Sequence, residues 1–201
     1  MRQIASFISS VLPGKVTQRH LPGEEGVWIF IFGDMMIFAV FFSTFMYYRG
    51  ENLEIFQRSQ ALLNINLGTL NTLLLLASSW FVVIAMEAVR QSRIKLAANL
   101  FSGAFLFGLS FCLVKIIEYS EKVSAGYTLN TDLFFTLYFV FTGVHLFHVI
   151  LGLIVLSLII RSCRNDEVTG DKIRFFEGGS CFWHMVDLLW IVLFPLIYLV
   201  D

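Results

Sequence analysis

Five stretches of this chain run the length of a membrane crossing with almost no charged side chain: Val27 to Tyr48, Ile65 to Met86, Leu96 to Tyr119, Asp132 to Ile160 and Ser180 to Val200. Their apolar positions are continuous. A membrane barrel would alternate apolar and polar residues over strands of about ten, so helices are the predicted element. About 20 helical residues cross a hydrocarbon core. The pattern therefore predicts an all-α membrane protein, a five-transmembrane-helix bundle forming a single domain over 27–201 behind a polar tail at 1–26. The fourth run exceeds what a bilayer needs and should tilt or protrude. The longest loop falls at 161–179. Within the tail, Ile4, Phe7, Ile8, Val11 and Leu12 form a weak apolar stripe suited to the membrane surface. That stripe is interrupted and has no small-residue cleavage site, so it does not read as a signal peptide.

Composition agrees: 57% of residues are hydrophobic and 14% charged, where soluble domains average about 25% charged. Lysine and arginine fix an orientation. Ten lie in the tail and in the second and fourth loops, against three in the first and third. Positive residues stay inside, which predicts a cytoplasmic N-terminus and a periplasmic C-terminus in a bacterial inner membrane. Trp28 and Trp183 would mark the inner interface, and Tyr47, Tyr48, Tyr119 and Tyr198 the outer. With a net charge of −1, no nucleic-acid partner is expected. Cys112, Cys163 and Cys181 have neither pairing parity nor metal-ligand spacing and read as small apolar filler.

Chemistry can then reside only in the few polar groups inside spans, each costly there and obliged to face protein, water or a partner. Asp34 lies roughly 10 Å into the first span at 1.5 Å per residue. Lys115 and Glu118 share a face near the outer end of the third and are expected to pair at the surface, with Lys115 snorkelling. His145 and His148 lie deep in the fourth. His184 and Asp187 share a face near the inner end of the fifth. Asn71, Thr72, Ser78 and Ser79 mark an interface on the second. Depth permits a cluster of Asp34, His148, His184 and Asp187.

Two axial histidines for haem must come from facing helices at matched depth. His145 and His148 are adjacent on one helix, and His184 is shallower than either. Copper or zinc would need a third ligand, and no cysteine or carboxylate cluster converges at suitable spacing. A proton path through Asp34 and the histidines needs water in its gaps. Thr142, His145, His148 and Gly152 instead form a small-and-polar stripe at three- and four-residue spacing, the pattern of a packed membrane-helix interface. A small proton-coupled transporter is the rival. It would call for an inverted repeat or a span broken at its middle, and only Pro195 interrupts a span, near its end.

"FTGVHLFHVILGL" (141–153) followed by "FWHMVDLLWIVLFPLIYL" (182–199) resembles the last two helices of subunit III of the haem–copper oxidases. "WIFIFGDMMIFAVFFSTFMYYR" resembles that family's carboxylate-bearing helix, with Asp34 at the acidic position. "LNTLLLLASSW" (70–80) and Glu118-Tyr119 fit the two helices between. Five spans match the quinol-oxidase type rather than the seven of the mitochondrial type. "LPGEEGVWIFIFGDMMIF" and Lys115 in "CLVKIIEY" look like the NorE-like branch associated with nitric oxide reductase. The resemblance implies a non-catalytic accessory subunit with no cofactor of its own, beside a catalytic subunit I that holds haem and copper or non-haem iron. It implies support of assembly and stability, bound phospholipid in clefts between helices, and a part in oxygen access or proton uptake. Asp34 is then the position of most functional interest, as an acid held neutral by its apolar surroundings or hydrogen-bonded to a neighbouring helix.

Overall fold

A computed structural model describes residues 25–165 and 170–200, so the apolar stripe at 4–12 lies outside the described residues. Six helices occur: α1 (Glu25–Glu51), α2 (Leu53–Gln60), α3 (Ile65–Arg90), α4 (Ile94–Ser124), α5 (Leu133–Asn165) and α6 (Gly170–Tyr198). All but α2 are long and apolar enough to cross a membrane. The five expected spans are all present.

Their ends differ from the apolar runs. The helix of the fifth span, α6, begins at Gly170 rather than 180, and that of the fourth span, α5, continues to Asn165. Of the expected loop at 161–179, residues 161–165 and 170–179 are therefore helical, and 166–169 lie outside the described residues. Apolarity reports only the part of a helix within hydrocarbon. Once a helix emerges into water, charged residues such as Arg161, Arg164, Lys172 and Arg174 continue it at no cost. Asp132, taken above as the start of the fourth span, is its N-cap: Oδ1 accepts the Phe135 N–H at 2.8 Å. Asn64 caps α3 in the same manner through the Asn66 N–H. The short α2 carried no apolar run. It docks by burying Phe56 edge-on against Phe45 and Phe134, and by donating the Ser59 hydroxyl to Asp132 at 2.6 Å.

The helices α3, α4, α5 and α6 close a ring in which each packs on its two neighbours, while α1 lies outside it against α6 and the phenylalanines of α5. Only 22% of the central residues of α1 are buried, against 61% for α6, so α6 is the hub and α1 the periphery. Small residues allow the close approach. A Cβ on Gly152 would meet the Trp183 ring at 2.6 Å, and one on Gly108 would meet it at 2.7 Å. The Trp183 indole therefore fills the space that two glycines leave on α4 and α5. This corrects the assignment of Trp183 to an interfacial belt, since its side chain is 1% exposed. Tyr198 is likewise buried, and Tyr119 turns its hydroxyl inward to Thr142 at 2.6 Å. Tyr47 and Tyr48 remain exposed.

Candidate functional site

The stripe on α5 faces inward along its whole length, with Thr142 and His145 fully buried and His148 nearly so. Its members meet three other helices, α4, α6 and α1. Thr142 bonds the α4 residue Tyr119, and Gly152 receives Trp183 of α6. His145 Nε2 lies 3.0 Å from the Val186 carbonyl oxygen of α6, so that ring nitrogen carries the proton and donates it. The imidazole packs between Phe111 and Trp190. His145 thus serves the helix interface that the spacing predicted.

His148 is the member that meets a carboxyl group. Its Nδ1 donates to the Val144 carbonyl at 2.8 Å, which leaves Nε2 pointing at Asp34 Oδ2, 3.3 Å away on α1. The two side chains are about one-tenth exposed. Asp34 Oδ2 has no aligned hydrogen bond, so the contact is one of charge and proximity. One proton shared between these groups leaves the pair electrically neutral, whether it sits on the acid or on the imidazole. Such a pair can be held in apolar surroundings at lower cost than an isolated carboxylate.

Across the bundle, Ser79 of α3 meets His184 of α6, its hydroxyl 2.6 Å from Nδ1. Asp187 shares that face of α6, one turn further along the helix. Asp187 is buried, and its Oδ1 has no partner among the described residues. The four-residue cluster that depth permits is therefore two separate groups, Asp34–His148 and Ser79–His184–Asp187. No hydrogen bond or ion pair joins them among the described residues.

The expectation for Lys115 is overturned. Lys115 and Glu118 do pair, at 2.9 Å, but both side chains are fully buried. The ammonium also donates to the Tyr198 hydroxyl at 2.9 Å and approaches that of Tyr138 at 3.4 Å, while Tyr198 donates to the second Glu118 oxygen. The Trp190 ring lies 5.0 Å from the ammonium. Snorkelling is the default for a lysine near a span end. Here aromatic hydroxyls from α5 and α6 take the place of water, and a cation held over ring faces adds to their effect. Tyr138, Trp190 and Tyr198 were thus missed as polar partners. Their signal lay in the aromatic residues at the outer ends of both partner helices, at the depth of Lys115. Arg49 was also missed. Counted as a loop charge, it is 7% exposed, with Nε and Nη2 unpartnered.

Asn71 is fully buried with both side-chain polar atoms unpartnered, and its neighbour Thr72 accepts the Trp190 indole N–H at 3.0 Å. Ser78 donates to the Ala104 carbonyl. The α3 face marked in the sequence is therefore a helix interface. Among the described residues, no three His, Cys, Asp or Glu side chains converge as a metal-ligand set. The geometry supports hydrogen bonding and charge pairing between helices.

Comparison with known proteins agrees with this architecture. The family described as Cytochrome c oxidase subunit III matches residues 10–201. The chain belongs to the cytochrome c oxidase subunit III family. It is 32% identical over 177 residues to a cytochrome bo(3) ubiquinol oxidase subunit 3 of Buchnera aphidicola subsp. Acyrthosiphon pisum, covering 87% of this chain and 84% of that protein. It is 29% identical to a cytochrome c oxidase subunit 3 of Alkalihalophilus pseudofirmus, covering 95% and 94%. A third relative, the heme-copper oxidase subunit I+III of Aeropyrum pernix, is 25% identical over 99% of this chain, which spans 26% of that longer protein.

Proposed function

We propose that this subunit III homologue is a non-catalytic accessory subunit of a respiratory complex of the haem–copper oxidase superfamily. It would pack beside a catalytic subunit I that carries the haem and the copper or non-haem iron, and support assembly, stability and proton or oxygen supply. The observation that carries this is family membership over nearly the whole chain, with a relative whose name joins subunits I and III in one polypeptide. The polar groups fit the role, because they join helix to helix. In a bacterial inner membrane, the ten-to-three charge bias would favour a cytoplasmic N-terminus and a periplasmic Asp201.

Phospholipid has a suitable seat. A cleft of about 450 Å³ between α1, α5 and α6 is walled by Val27, Phe30, Leu151, Val155 and Phe182, with Arg174 at its margin. Acyl chains would take the apolar walls and the arginine would take a phosphate. The oxidase is the complex we favour, since the relatives above are oxidase subunits. The opening stretch and Lys115 favour the NorE-like branch with a nitric oxide reductase as the second reading.

Deleting this chain from its native cells tests the proposal. The expected result is a several-fold loss in the amount or working lifetime of the complex, with the haem spectrum of the remaining catalytic subunit unchanged. Loss confined to oxygen consumption assigns the oxidase, and loss confined to nitric oxide consumption assigns the reductase. Unchanged amount and lifetime would contradict the role.

A further inference from the structure

A second cleft, of about 370 Å³, opens between α3 and α6 at the end of the bundle that carries Arg90. Polar groups line it from both helices: Glu87 and Arg90 of α3, and Glu177, Ser180, Cys181 and His184 of α6. Arg90 and Glu177 form an ion pair at its mouth, 3.6 Å apart, the arginine 60% exposed and the glutamate 11%. Below the mouth the groups lose their partners. Glu177 Oε2 is buried and unpartnered. Ser180, 5% exposed, has an unpartnered hydroxyl, and Asp187 beyond it keeps an unpartnered Oδ1. Residues 177, 180, 181, 184 and 187 recur at three- and four-residue spacing, so they form one polar column on the face of α6.

An acyl chain in this cleft would strand every one of these groups. Water would satisfy them, since an internal water needs a polar site and about 30 Å³ of its own, and the cleft holds many times that volume. We propose that the cleft is a water-filled inlet connecting the His184–Ser79–Asp187 group to the aqueous phase at the Arg90 end of the bundle, so that these buried groups exchange protons with that side. His184 lines the cleft, so a proton it takes up from the inlet water returns to that water, and Ser79 Oγ holds the Nδ1 side of the ring at 2.6 Å. The titratable and charged groups facing the path are Glu87 and Arg90 from α3, and Glu177, Cys181, His184 and Asp187 from α6. The inlet goes beyond the accessory role, and its test does not depend on which partner this chain serves.

Cys181 is a built-in reporter, partly exposed in the cleft, whereas Cys112 and Cys163 are buried. Charged methanethiosulfonates react with thiolate, which forms in water and not in hydrocarbon. Membrane vesicles holding the complete complex are treated with a charged, membrane-impermeant methanethiosulfonate, and each cysteine is read by mass spectrometry. Cys181 is expected to label about tenfold or more faster than Cys112 or Cys163. Labelling should occur only from the face that labels a Gln91→Cys marker in the adjoining exposed turn. A Ser79→Cys variant in a Cys181→Ser background should label from the same face, because the inlet reaches that depth. Labelling of Cys181 only by a membrane-permeant maleimide, or only from the opposite face, would overturn the inlet. Labelling at Cys181 but not at Ser79→Cys would overturn its extension past His184 to Ser79.

Discussion

Leaving an ionised carboxyl group alone in an apolar bundle costs several kcal/mol, and each acid here meets that cost differently. Asp34 uses an imidazole 3.3 Å away, and Glu118 a lysine and a tyrosine. Substitutions separate these arrangements. Asn at position 34 keeps the shape but can neither carry the charge nor exchange a proton. If Asp34 serves packing, Asp34→Asn should leave assembly and turnover near wild type while Asp34→Leu weakens assembly, as judged by the yield of intact complex. If it handles protons, Asn should assemble normally and lower turnover or hasten inactivation. Wild-type behaviour of both variants in all three measures would remove both roles. The Lys115–Glu118 pair should show the asymmetry of a buried ion pair. Lys115→Met leaves an unmatched carboxylate and should cost about 3–5 kcal/mol, whereas Lys115→Met with Glu118→Gln should recover much of it. Thermal unfolding of the purified complex in detergent measures both. Residue identity was legible in the sequence for every one of these groups, and so was the inward face of α5. Partnership was not, because it depends on which helices adjoin. Asp34 and His148 are neighbours only because α1 lies against the ring beside α5, and nothing local to either residue specifies that.

At the scale of elements, apolar runs located five helices but not their ends, since emergence into water changes composition without ending a helix. Terminal hydrogen bonds do end them. The α3–α4 turn is closed by N–H groups of Ser92 and Arg93 reaching back to the Val89 and Ala88 carbonyls, with Ser92 at φ +59°. That is a Schellman arrangement in which glycine is the usual occupant. Ser92→Gly should therefore stabilise the hairpin by about 0.5–1 kcal/mol, through relief of the left-handed backbone. A rise in the thermal midpoint is the expected readout, and a fall would show that the serine hydroxyl matters more than its backbone. Helix contact makes the opposite prediction for Gly152. With Trp183 at 2.6 Å from the position of any added Cβ, Gly152→Leu must push the indole out of the bundle. Overpacking of this kind costs about 1–3 kcal/mol or more. Tryptophan fluorescence should shift as the ring moves, and Gly143→Leu, which meets nothing within 4 Å, should not shift it.

For the whole molecule, the spans and their order follow from the sequence, whereas the ring of four helices with a peripheral α1 does not. A helix pattern carries no record of its neighbours in a membrane, where lipid and protein are equally apolar. Orientation rests on charge alone. A reporter enzyme fused after Asp201 should be active in the periplasm, and one fused ahead of α1 in the cytoplasm; the reverse pattern would refute the orientation. The central claim is that this chain works as a partner of a redox subunit without being one. Purifying the complex through a tag on this chain and recording its visible spectrum, beside that of the chain expressed alone, tests it most directly. The account predicts a haem spectrum in the tagged complex and none from the isolated chain. A Soret band in stoichiometric amount from this chain alone, or a tagged preparation free of any haem-bearing partner, would contradict it.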